Sequence, residues 1–213
     1  MRTWFTSRNG AIPLTAVIAI GASLALLSAL ATQGLSARTI AASLLILSFI
    51  IFVFGGVLYA GRAMWNWQIE ELSSYVVWER GFVITAVLAT VLGLVLLEDM
   101  LRAAGDSFMG RLGMVAYLFG AVVVVVAETA FLGKGDWVYP QIVLYVVLAF
   151  LAQAIFGASL LQTGLVAAWA GWGTVIWNLG WLLVMLLSRP RDIYFPVLHH
   201  VAPLIIGIAL LAG

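Results

Sequence analysis

The chain has no cysteine, and only 9% of its 213 residues are charged. The first absence removes disulfides, thiolate metal sites, iron–sulfur clusters and cysteine nucleophiles. The second removes the soluble class, because soluble domains carry about 25% charged residues. Here 64% of residues are hydrophobic and the mean hydropathy is +1.14, a composition that fits a chain embedded in a membrane. Net charge is +1 and the ten basic residues are scattered, so no basic stripe is offered to nucleic acid. No glycine-rich nucleotide loop occurs, and the one lysine, Lys134, falls in a loop.

What is abundant is apolar sequence in long runs. A membrane-crossing helix needs about 20 apolar residues to cover about 30 Å of hydrocarbon. Seven stretches meet that length, at about 11–32, 39–61, 77–97, 112–132, 140–162, 167–187 and 194–212. The expected fold is therefore all-α, a single integral-membrane domain built as a bundle of seven transmembrane helices. The first stretch follows a basic start that resembles a signal peptide. Its apolar run is longer than a signal-peptide core, so it reads as a retained span. Pro13 and Pro140 stand at first-turn positions, where a missing N–H costs nothing.

Basic residues in the loops predict orientation. Arg2, Arg8, Arg62, Arg80, Lys134, Arg189 and Arg191 fall on the N-terminal side, against Arg38, Arg102 and Arg111 on the other. This places the N-terminus in the cytoplasm and the C-terminus outside the cell membrane. Glu98, Asp99, Arg102, Asp106 and Arg111 read as a solvated loop with local ion pairs. Small-residue pairs at four-residue spacing, Gly56 with Ala60 and Ala154 with Ala158, are candidates for close helix contact.

Ionisable groups inside apolar helices are costly and mark sites of interest. Glu128 and the pair His199–His200 are the clearest. With the orientation above, both lie one to two turns inside the cytoplasmic end, at a depth shared with Glu79 and Arg80 at the start of the third span. Glu128 either reaches headgroups or Lys134, or faces inward to pair with a histidine or arginine, or relays a proton. Adjacent helical residues point about 100° apart, so the two histidines are not expected to share a metal ion. One is expected to face the bundle and the other lipid or a neighbouring helix. Pro203 removes the N–H that would bond the His199 carbonyl, which predicts a kink in the last span. Gln153 and Asn178 lie mid-span, and Trp181 shares a face with Trp177; these are secondary candidates for a polar or aromatic pocket.

Several seven-span chemistries are excluded by residue type. A retinal Schiff base needs a lysine in the last span. The zinc-dependent membrane hydrolases need three histidines, and a bis-histidine haem needs ligands on facing positions. No catalytic residue, metal site or cofactor is assigned. The segments YVVWERGF, VLGLVLLED and LLQTGLVAAWAGWGTVIWNLGW resemble segments of uncharacterised multi-span bacterial membrane proteins grouped as a domain of unknown function. The resemblance implies an all-helical bundle of a bacterial inner membrane and transfers no activity.

The expected function is a small-solute or proton-coupled carrier, or a small-ligand-binding membrane protein, with the lipid bilayer as its surroundings. A structural or accessory subunit of a larger membrane complex, with membrane-protein partners or a second copy, is the alternative. A membrane enzyme acting on a lipid is the third.

Overall fold

A computed structural model describes residues 36–63, 73–134, 139–188 and 198–213. Among these there are six helices and no strand: α1 (Ala37–Ala63), α2 (Ser73–Ala103), α3 (Met109–Lys134), α4 (Tyr139–Thr163), α5 (Ala168–Ser188) and α6 (Val201–Ala212). The first five are long and apolar enough to cross a membrane. They cover the second to sixth expected spans, extended by up to a turn or so at the ends. The expected first span, 11–32, lies outside the described residues.

Apolar sequence of this length folds as helix because hydrocarbon offers no partner for backbone N–H and C=O groups. Threonines within the spans follow the same rule. Thr85, Thr90 and Thr129 each donate a hydroxyl proton to the carbonyl four residues back. The α2–α3 turn is closed by Gly105, whose φ of +100° only glycine adopts at little cost. There the Asp106 N–H bonds the Leu101 carbonyl at 2.9 Å, and the Asp106 carboxylate accepts from the Gly110 N–H at 2.8 Å. This turn carries the Arg102–Asp99 pair at 2.7 Å and the Arg111–Glu98 pair at 3.7 Å, the local pairing expected of a solvated loop.

The helices form a ring in chain order, and α6 closes it by packing against both α1 and α5. Faces are sorted by burial. On α3, Val115, Phe119, Val122 and Val126 point outward, while Tyr117, Ala121, Val124 and Glu128 are buried on the opposite side. Both faces are apolar apart from Glu128, so hydropathy alone cannot distinguish them.

The close approaches made at glycines fall elsewhere than at Gly56. A methyl group on Gly56 would meet nothing within 4 Å, and the Ala60 side chain lies outside the described residues. Instead, a Cβ on Gly157 of α4 would sit 3.0 Å from the Gly171 carbonyl of α5. A Cβ on Gly207 of α6 would sit 2.8 Å from the Ala42 carbonyl of α1. At both places two backbones touch, which only a missing side chain allows.

The last helix departs from expectation. The sequence places a full span at 194–212; of this, 194–197 lie outside the described residues, and α6 starts at Val201 and has 12 residues, a rise of about 18 Å. Leu198 and His199 are helical, a turn falls at His200, and α6 begins after it. Pro203 accounts for the break, since it cannot donate to the His199 carbonyl. At its other end α6 is fastened to α1: Arg38 Nε donates to the Leu210 carbonyl at 2.8 Å. A cation there also meets the negative end of the helix dipole.

Candidate functional site

Glu128 is buried in the bundle and paired with an arginine. Arg80 Nη1 donates to both Glu128 carboxylate oxygens at 3.2 Å, and Arg80 Nη2 lies 3.0 Å from Glu79 Oε1. All three side chains are no more than 4% exposed. The guanidinium thus divides its two terminal nitrogens between two acids, a geometry that suits a planar fork and not a single ammonium. Its flat face lies over the Phe131 ring at 5.0 Å. Glu79 and Arg80 are neighbours on α2, and Glu128 reaches them from α3. The three sequence candidates are brought together as one cluster.

The sequence left one histidine to face lipid or a neighbouring helix. Both are fully buried, so neither faces lipid. Their rings lie against each other with centroids 4.2 Å apart, and His200 stacks on Phe52 at 4.3 Å. Their depth also changes. His199 packs edge-on to Phe150, and Trp177 Nε1 donates to the Leu198 carbonyl at 2.7 Å. Phe52, Phe150 and Trp177 all fall within two residues of the midpoints of α1, α4 and α5. The histidines therefore sit at mid-bundle. Glu128 is six residues from the end of α3, about 9 Å along the axis. The two groups do not share a depth, because α6 starts half-way across.

Tyr145 of α4 meets His199. Its hydroxyl is 2.6 Å from His199 Nε2 and 3.4 Å from the Tyr117 hydroxyl of α3. Tyr117 in turn reaches the Thr90 side chain of α2, whose hydroxyl donates to the Ala86 carbonyl. In the Tyr117–Tyr145 and Tyr145–His199 contacts either partner can donate, the latter according to the tautomer of His199.

Sequence reasoning missed Tyr145, Tyr117 and Thr90. The available signal was a phenol inside an apolar run, away from the interfacial belt where tyrosine is common. Among the secondary candidates, Gln153 and Asn178 are fully buried on α4 and α5. Asn178 Nδ2 donates to the Thr174 carbonyl at 2.7 Å. Trp181 is partly exposed and meets Trp177 edge-on at 5.8 Å. The two line an apolar groove of about 480 Å³ with Gly173, Gly180 and Ile205. Among the described residues, no three acidic, histidine or cysteine side chains gather as a metal site.

No protein-family model matches the chain, and no curated protein or solved structure is similar to it.

Proposed function

We propose that the protein is a proton-coupled carrier of a small solute, with Glu128, Arg80 and Glu79 as its charged cluster and Tyr145–His199 as the link to mid-bundle. The observation that carries this reading is Tyr145. Its hydroxyl bonds an imidazole on one side and a second buried phenol on the other. A phenol can accept a proton on one side and release one on the other, and histidine exchanges protons near neutral pH. A polar path through an apolar bundle is costly unless it is used. In this reading the chain is a seven-span protein of a bacterial inner membrane, with the N-terminus cytoplasmic and the C-terminus external. The resemblance to uncharacterised multi-span bacterial proteins belongs with this proposal.

Proton entry into proteoliposomes loaded with a pH-sensitive dye tests it. Tyr145→Phe, Glu128→Gln and His199→Ala should each lower the rate of acidification by about tenfold or more, the scale of one lost proton-transfer group. Unchanged rates in all three folded variants defeat the reading.

A second reading, an accessory subunit of a larger membrane complex, draws on α5. Only 22% of its membrane window is buried, the least of the five spans. Purification in mild detergent with a constant partner on the α5 face would favour it.

A further inference from the structure

The registers of α4, α5 and α6 bring an unusual set of groups to one level. Gly157 lies opposite Gly171 and Val175, and Gly173 lies opposite Ile205. Four to five residues from that level, toward the end of the bundle from which α6 starts, α4 reaches Gln153, α5 reaches Asn178 and α6 reaches His200. The Trp177 bond to Leu198 and the Phe150 contact with His199 fix the same alignment. Gln153, Thr174, Asn178 and His200 are all 0% exposed. Both polar atoms of Gln153, the Thr174 hydroxyl, Asn178 Oδ1 and both ring nitrogens of His200 have no hydrogen-bond partner among the described residues. Buried polar groups are rarely left unmet, so this concentration calls for a polar occupant.

The start of α6 specifies its charge. His200 is the N-cap residue of α6, which restarts inside the bundle after the helical Leu198 and His199, and no side chain caps that end. The N-terminal end of a helix carries partial positive charge and attracts anions. Half-helices that start within a membrane bundle present this end to anionic substrate groups. No lysine or arginine stands at the midpoint of α4, α5 or α6, so the site suits a single negative charge.

We propose that this level binds a small monocarboxylate. The Gln153 amide and the His200 ring N–H donate to its oxygens, and the positive end of α6 faces its charge. The Thr174 hydroxyl is a further donor at this level. This names the solute class of the proposed carrier and so rests on that reading, but binding and proton flux are measured separately.

The test is calorimetric titration of the full chain in lipid nanodiscs with sodium acetate, and with acetamide as its uncharged isostere. Acetate should bind saturably, with acetamide weaker by about tenfold or more, the scale of a lost charge-assisted contact. Gln153→Leu keeps the volume of α4, and His200→Phe keeps the stack on Phe52. Each should weaken acetate by a similar factor with an unchanged circular dichroism spectrum. If His200→Phe does not fold, Gln153→Leu and the acetamide comparison decide. Absent acetate binding, equal binding of acetamide, or unaltered binding in both variants overturns the proposal. Glu128→Gln separates the two readings: it should abolish proton flux while acetate still binds. Acetate binding without proton flux in the unaltered protein would remove the carrier reading and leave the site.

Discussion

Replacing Arg80 by glutamine tests the charged cluster most directly. Two carboxylates lie within 3.2 Å of its guanidinium, and all three groups are buried. At that separation and an effective dielectric of about 20, each attraction is about 5 kcal/mol before desolvation is counted. Truncating one partner of a buried pair leaves charge uncompensated and typically costs about 3–5 kcal/mol. Arg102 supplies the contrast. Its pair with Asp99 is shorter, at 2.7 Å, yet the side chains are 58% and 56% exposed. Exposed pairs are worth about 0–1 kcal/mol despite good distances. Arg80→Gln should therefore cost at least about 3 kcal/mol in reversible unfolding in mixed micelles, while Arg102→Gln costs less than about 1. Arg80→Lys should fall between them, because one ammonium cannot divide its donors as the guanidinium fork does. Equal losses for Arg80→Gln and Arg102→Gln would refute the argument that burial, not distance, sets the strength of these pairs.

Three further outcomes follow from packing. Gly207→Ala places a methyl 2.7 Å from Ile46 Cγ1 and 2.8 Å from the Ala42 carbonyl, so α6 must move off α1. An unfolding cost of about 1–3 kcal/mol is expected, and a neutral result would show the contact to be looser than described. Gly157→Ala presses on the Gly171 carbonyl at 3.0 Å and should cost a similar about 1–3 kcal/mol by the same measurement. Arg38→Ala should speed amide hydrogen exchange in the last turn of α6 relative to α4, with a stability loss of about 1.5–3 kcal/mol for the lost charged donor. Uniform exchange in both helices would remove the fastening role.

The five long helices were legible because about 20 apolar residues leave the backbone no alternative in hydrocarbon. Glu128, Glu79 and Arg80 were legible as a group because charge in apolar sequence is rare. The partner of Glu128 was not: pairing across α2 and α3 depends on which faces meet, and α3 is apolar on both. The histidines were found by residue type but set at the wrong depth. Hydropathy counts apolar residues through 194–212 and is blind to where the helix restarts. Pro203 carried part of that information, though proline alone does not say whether a helix bends or stops. Tyr117, Tyr145 and Gln153 were hidden or underrated, since each is a lone polar side chain in an otherwise apolar run.

The latch of Arg38 on Leu210 and the stack of Phe52 on His200 tie α1 to α6 at two heights. Between them α1 counts fourteen residues and α6 ten, about 21 Å and 15 Å of rise. The long Arg38 side chain spans the difference. The two helices thus work as a pair of rulers read against each other. Deleting one residue between the marks on either would turn its far mark by about 100°. The helices can therefore change length only together, and insertions in this protein should be tolerated in its loops but not between these two marks.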